Sequence, residues 1–454
     1  MSITKTIETL FQKYIPSPFV IAILLTILTM VLALVLLYTE NPSETSHHIT
    51  ILKFWEEGIW NNNLLVFAYQ MMLILVLGHV LVLSKPMSWV IDQITFYAKD
   101  TISAVLLISI TTMLVAFFNW GLGLIFGAIM ARKVGEASLR RGFKINYPLV
   151  GASGYIGLMI WHGGMSGSAP LKVAEEGHIT TMMEGIVSPE TLATIPEIIT
   201  SQQTIFSWWN LLIFGILLIV IPFTFYLLAR NGKTTELPDF TTTKEVTETQ
   251  EKNDKLDHSK LLAIGFGFIL LSTFFIQYYG KSLSPNMLNF LMLGLGVILH
   301  GNFKNFLKAI EKAIGGTSGI LIQFPLYFGI MGIMKGTGMV TMISDAFIAV
   351  ATETTLPIFT FFSAGLVNIF VPSGGGQWAI QGPIVIESAL SLGVPLPKAI
   401  MALAYGDQVT NMLQPFWALP LLGITKLKAK EILPYTLILM VVGSAVYILG
   451  LLVL

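Results

Sequence analysis

Residues 371–383 read VPSGGGQWAIQGP. They lie inside an apolar run, Ile358 to Leu392, long enough to cross a bilayer. Glycine and proline weaken helices, and an unpaired main-chain amide in hydrocarbon costs on the order of several kcal/mol. Irregular backbone survives at that depth only where it is buried in protein or lines a cavity. The run is therefore read as a re-entrant hairpin, 357–390, whose broken tip faces an interior site. No Lys or Arg flanks it closely, which suits entry from the outer face.

The composition surrounding this stretch is that of a membrane protein. Of 454 residues, 54% are hydrophobic and 11% charged, with a mean hydropathy of +0.75. A soluble domain carries about 25% charged residues, and apolar runs of spanning length recur along this chain. The fold class is all-α, polytopic and membrane-embedded. Net charge is zero, which gives no electrostatic case for nucleic acid. Cysteine is absent, excluding disulfides, thiolate nucleophiles and Cys-ligated zinc. No HExxH, GxSxG, nucleotide loop or carboxylate pair suggests an enzyme.

Lysine and arginine orient the spans. Lys5 and Lys13 place the N-terminus inside, and the acidic segment 39–63 lies outside. Span 64–84 returns inward. The run Thr101–Met130 precedes Arg132, Lys133, Arg140, Arg141 and Lys144 and is interrupted by FNWGLG (118–123). A cytoplasmic re-entrant hairpin, 101–130, explains both features. A broken helix, 148–170, then crosses outward to the acidic loop 171–203, and 205–229 returns. Residues 230–260 read as a cytoplasmic linker. Beyond it, 261–279, 286–300 and 314–334 cross in turn, with Lys335 snorkelling at a span end. After the second hairpin comes a second broken helix, 398–424, ending at Lys426, Lys428 and Lys430. The final span, 433–453, leaves the C-terminus outside. The count is about nine crossings plus two hairpins.

Each half has the same order: span, span, hairpin, broken helix, span. GYIGLMIWHGGMSGSAPL (154–171) matches AYGDQVTNMLQPFWALPL (404–421), with Tyr155 on Tyr405, Pro170 on Pro420 and Leu171 on Leu421. Asn119 likewise corresponds to Asn368. The odd crossing at 261–279 inverts the second copy. Residues 1–229 thus form one inverted repeat, 230–260 the linker, and 261–454 an extra helix plus the second repeat. Gly/Pro-broken segments at matching positions of inverted repeats point to the binding site of a secondary transporter.

The second hairpin's rising arm begins near the midplane, so its free N–H groups and positive dipole end face whatever sits there. Ser373, Gly374, Gly375, Gly376 and Gln377 are candidates to cradle an anion. Trp378, Phe416 and Trp417 are candidates for an apolar pocket. Asn119, Gly121, Gly123 and Ser166 are the first-half candidates, with Asn368, Gln408, Thr410, Asn411 and Gln414 in the second. Asp407, a carboxylate at membrane depth, is the candidate coupling-ion residue. His162, in the first broken helix, could titrate or donate to a carboxylate. Gln70 and Gln323 lie in corresponding spans and are candidates to face the site. Small residues also permit tight helix contacts, an alternative use of the glycines.

VPSGGGQWAIQGP, AYGDQVTNMLQPFWALP, FNWGLGL and GGMSGSAPL together resemble the bacterial short-chain fatty acid transporter family, the acetoacetate/butyrate-type carriers of a larger ion-transporter superfamily. The likeness covers the chain apart from the linker. It implies secondary uptake of short-chain monocarboxylates across the cytoplasmic membrane, with H+ or Na+ as coupling ion and no other cofactor. The partners it implies are the acid, the lipid bilayer and, compatibly, a second copy in a homo-oligomer. A carrier for a dicarboxylate or other small anion, and an anion channel, are the alternatives. The absence of arginine from both breaks speaks against a second carboxylate. A membrane hydrolase would have only His162 and Ser166 to work with.

Overall fold

The computed structural model describes residues 18–40, 46–240, 255–371 and 373–453. All regular structure among them is helical. The chain begins with α1 (Pro18–Glu40), α2 (His47–Ile59) and α3 (Asn62–Val82), followed by α4 (Lys85–Phe96), α5 (Thr101–Phe118) and α6 (Trp120–Arg141). Next, α7 (Tyr147–Tyr155) decays into 3-10 turns at Ile156–Met159 and Trp161–Gly163 before α8 (Ser168–Lys172). Short α9 (His178–Met183) and α10 (Pro189–Thr194) precede α11 (Trp208–Asn231). The second half contains α12 (Lys260–Tyr278), α13 (Pro285–His300), α14 (Phe303–Ile314), α15 (Ser318–Gly336) and α16 (Met339–Val350). It continues with α17 (Leu356–Phe370), α18 (Gly374–Leu392), α19 (Leu396–Thr410), a 3-10 turn (Asn411–Leu413), α20 (Pro415–Thr425) and α21 (Ala429–Val453).

Among the described residues, seven helical stretches are long and apolar enough to cross a membrane. Several are apolar all round: only 22% of the α1 and α12 windows is buried in protein. Leu261, Phe268 and Ile276 on α12 point away from the core. A surface of this kind is stable facing lipid and would aggregate in water.

The interior is built by close main-chain approach. A Cβ on Gly154 of α7 would sit 2.5 Å from the carbonyl oxygen of Gly127 on α6, and one on Gly127 would sit 2.0 Å from that of Gly154. The second half repeats the device: a Cβ on Gly406 of α19 would lie 2.0 Å from the Phe361 carbonyl oxygen of α17. Each broken helix therefore packs backbone to backbone against the hairpin arms beside it.

Several sequence expectations change here. The first hairpin's second arm does not stop near Met130; α6 runs to Arg141, capped by Gly142 at φ 75°. Arg132 pairs with Glu136 one turn on, at 2.9 Å, so the basic cluster is helical. Helix α18 begins at Gly374, because Ser373 caps it by accepting the Gly376 N–H. Segment 39–63 contains α2, and 335–356 contains α16. Part of the linker is docked: the Thr235 N–H donates to the Ile145 carbonyl, and Phe240 meets the Tyr147 ring edge-on. Lys5, Lys13, Glu44, Pro372 and linker residues 241–254 lie outside the described residues, as does the Phe416 side chain.

The segment between α8 and α11 is fastened to the second hairpin at one point. Trp378 of α18 is fully buried, and its indole N–H donates to His178 Nε2 at 3.0 Å. Burial, and secondarily the positive charge of Lys172, pull the His178 pKa down to about 3.

Two outcomes are expected. Gly154→Val should cost about 1–3 kcal/mol or more through overpacking, read as a lower melting temperature in detergent. Gly265→Val, where a Cβ meets nothing within 4 Å, should leave melting unchanged. The second concerns pH. His178 is neutral in the folded state, while an open state restores its ordinary value of 6.5. Protons added between pH 6.5 and about 3 therefore bind the open state selectively and destabilise the fastened one. Melting temperature should fall more steeply from pH 6.5 to 4.5 in the wild type than in His178→Gln; equal slopes would show that this contact carries no pH dependence.

Candidate functional site

The tips of the two helical hairpins, α5–α6 and α17–α18, face a common cavity. Trp120 comes from the first tip, and Ser373, Gly374 and Gly375 from the second. Leu158, Trp161 and Ser168 come from the first break, and Asn411 and Trp417 from the second. Met71, Ile320 and Phe324 complete the wall. The free volume is about 30 Å³, room for a water or two.

The cavity exposes hydrogen-bond donors. Gly376 and Gln377 donate their N–H groups to the Ser373 hydroxyl and carbonyl. That leaves the N–H groups of Gly374 and Gly375, which a helix start does not satisfy internally. The Trp161 indole N–H is buried without a partner among the described residues. Ser168 and Asn411 are the other polar lining residues; the rest is apolar, with neither Lys nor Arg. Substitution at the tip requires the facing rings to move: a Cβ on Gly374 would meet the Trp161 ring at 2.7 Å, and one on Gly375 the Phe324 ring at 2.7 Å.

Behind the tip the two breaks bind each other. Tyr155 donates its hydroxyl proton to the carbonyls of Asn411 and Gln414, both at 3.0 Å. Asn411 Nδ2 donates to the Leu158 carbonyl at 3.2 Å. Gln408 Oε1 accepts the N–H groups of His162 (2.8 Å) and Gly163 (3.0 Å), while its Nε2 donates to Tyr447. Asn368 Nδ2 donates to the Asp407 carbonyl (2.6 Å), Thr410 Oγ1 and Asn411 Oδ1. Gln414 Nε2 donates to the Asn368 carbonyl at 2.5 Å.

His162 and Asp407 are fully buried together, Nδ1 to Oδ2 at 2.5 Å. Nε2 accepts the Ala169 N–H at 3.1 Å, so it carries no proton. The imidazole proton therefore sits at Nδ1, between ring and carboxylate. Trp161 stacks on this ring with centroids 4.5 Å apart. The buried oxygens without a hydrogen-bond partner among the described residues include four from the second hairpin and the second broken helix: Asp407 Oδ1, Asn368 Oδ1, Gln377 Oε1 and Gln414 Oε1. Each amide nitrogen faces a main-chain carbonyl, which fixes the amide orientation and leaves the oxygen as the open group. All four are acceptors.

The candidates named from sequence thus divide. Ser373, Gly374, Gly375 and Asn411 line the cavity. Asn119 spends its side chain on the Leu122 N–H and the Ile74 carbonyl, and Ser166 accepts the Trp120 N–H. Gly121 and Gly123 are contact glycines against Leu75 and Ala116, and Gly376 against Tyr327. Gln408 and Thr410 bind polypeptide on every side, and Trp378 turns to His178 instead of the cavity. Gln70 faces Glu175 and Asn286, and Gln323 is partly exposed. The lining residues are their neighbours Met71 and Phe324, one position along each helix and hence about 100° round it. Trp120, Trp161 and Ser168 were not singled out by sequence, although the glycine-rich breaks around them were the signal.

Comparison with known proteins follows this geometry. A family model described as "Short chain fatty acid transporter" matches residues 1–454. A Haemophilus influenzae protein provisionally named a short-chain fatty acid transporter is 36% identical over 459 residues, covering 99% of this chain and 98% of its own. An Escherichia coli protein with the same provisional name is 35% identical, covering 97% and 96%. Among solved structures, the Alcanivorax borkumensis transporter YdaH has a TM-score of 0.56 at 13% identity, covering 96% of this chain and 98% of its own. Neisseria gonorrhoeae MtrF, described within a class of antimetabolite efflux pumps, has a TM-score of 0.55 at 15% identity, covering 98% and 97%. At those identities the likeness is one of fold. The chain is a multi-pass transport protein, not an enzyme, and belongs to the short-chain fatty acid transporter family.

Proposed function

We propose that this protein is a secondary active symporter carrying butyrate- or acetoacetate-like monocarboxylates with a cation, H+ or Na+, across the bacterial cytoplasmic membrane. The observation that carries the reading is the cavity at the tip of α18. The Gly374 and Gly375 N–H groups, the Trp161 indole N–H and Ser373 supply donors for one carboxylate, and aromatic walls suit a short alkyl chain. A lining without Lys or Arg suits a single carboxylate better than two. The names of the relatives support the same substrate class.

The cation belongs beside Asp407. A buried carboxylate oxygen and three amide oxygens, all open acceptors, call for a proton or a hard cation. The α5–α6 and α17–α18 hairpins act as re-entrant elements of two inverted repeats, 1–229 and 261–454 joined by the linker. About nine crossings leave the N-terminus inside and the C-terminus outside. Matching backbone contacts at Gly154 and Gly406 support the repeat. The small cavity corresponds to a state closed around the site, so transport requires the α18 tip to part from Trp161 and Phe324.

Two measurements in proteoliposomes test this. Trp161→Phe keeps the ring but removes one donor to a charged group, worth roughly 1.5–3 kcal/mol; the KM for butyrate should rise about tenfold or more, and an unchanged KM removes Trp161 from the cradle. Asp407→Asn should abolish accumulation driven by an imposed proton or Na+ gradient while butyrate counterflow persists. Gradient-driven accumulation by that variant would strip Asp407 of its coupling role.

A further inference from the structure

A second and larger cavity lies where α2, the start of α3, α9 and the end of α15 meet. Its volume is about 310 Å³, within the range of small-ligand pockets. These segments are the ones that charge placement puts on the outer side. Its floor includes Ala379 of α18, the helix whose N-terminal tip forms the inner cavity.

Two unengaged donors line it. Lys335 is half-buried and forms no ion pair within 4.0 Å among the described residues. Glu184 acts on it only from beyond that distance. The second donor follows from the tautomer of His178. The Trp378 indole can only donate, and it donates to His178 Nε2 at 3.0 Å. The imidazole proton is therefore on Nδ1, which has no partner among the described residues. Phe328 and Met331 supply apolar wall, and Asn63 is a further polar lining group. The Glu57 carboxylate also lines the cavity; it is exposed and lies 3.8 Å from Lys53 Nζ.

We propose that this cavity is a second, peripheral binding site for a small monocarboxylate. Lys335 Nζ and the His178 Nδ1–H hold the carboxylate, and the alkyl chain lies on Phe328 and Met331. The site captures the acid before it reaches the inner cavity. The ligand class rests on the proposed function; the site itself rests on a lysine and a histidine N–H that no protein group among the described residues engages.

The test is equilibrium binding of labelled butyrate to purified full-length protein, paired with uptake by proteoliposomes. The wild type should bind two equivalents. Gly375→Leu, which fills the inner cavity, should keep one, and adding Lys335→Gln should remove it. Lys335→Gln alone should raise the uptake KM about tenfold with Vmax within about twofold, because the inner site is untouched. Asn63→Asp, an exposed change that places a negative charge on the wall, should weaken the same site if Lys335→Gln fails to fold. The proposal is overturned if Gly375→Leu that melts cooperatively as a folded protein binds no butyrate, or if neither Lys335→Gln nor Asn63→Asp alters stoichiometry or KM. If the wild type neither binds nor exchanges butyrate, the transport reading falls as well. If it exchanges butyrate with one bound equivalent, only the peripheral site falls.

Discussion

The structure depends on the main-chain groups released where its two central helices break. In an apolar interior each unmade hydrogen bond costs about 1–3 kcal/mol, and there is little water at that depth to meet it. Here each break satisfies the other. The His162 and Gly163 amides end on Gln408, the Leu158 carbonyl on Asn411, and the Asn411 and Gln414 carbonyls on Tyr155. Tyr447 takes the Met159 carbonyl while accepting from Gln408. Neither broken helix can be stable without its counterpart, so the place where they meet is fixed. The cavity lies beside that junction, between the hairpin tips.

The same constraint explains what was legible from the sequence. The breaks announced themselves because Gly, Pro and Asn inside apolar runs have few other uses at membrane depth. The α18 tip followed, and Ser373, Gly374 and Gly375 do line the cavity. The polar residues nearby were harder. A glutamine that holds backbone amides and one that awaits a ligand are the same letter, and Gln408 proves to be the former. Helix faces were also beyond reach: apolar all-round helices carry no stripe to set their rotation, so Met71 and Phe324 hid beside Gln70 and Gln323. The His162–Asp407 contact joins residues 245 apart, and no local pattern reports a pairing of that range. Helices α2 and α9 sit in polar segments whose charges read as loop.

Donors and acceptors are sorted in space around the second hairpin. Open donors, the Gly374 and Gly375 N–H groups and the Trp161 indole, belong to residues that line the cavity; four acceptors left open among the described residues, on Asn368, Gln377, Asp407 and Gln414, belong to the segments that form and support the tip. The link between the two sets is short: Gly374 packs against the Cε1–Nδ1 edge of the His162 ring, and the same Nδ1 meets Asp407. An anion in the cavity alone would bring one uncompensated charge into a low-dielectric interior, and a cation at Asp407 alone would change the charge beneath the tip without a partner above it. Each loading costs several kcal/mol or so when made singly and far less when both guests are present. Under the proposed function, that mutual dependence is the coupling: the affinity of each site rises with occupancy of the other, by the same factor in both directions. A carrier that works as proposed needs no moving wire between substrate and ion, because one helix start, Ser373 to Gln377, would bound both sites.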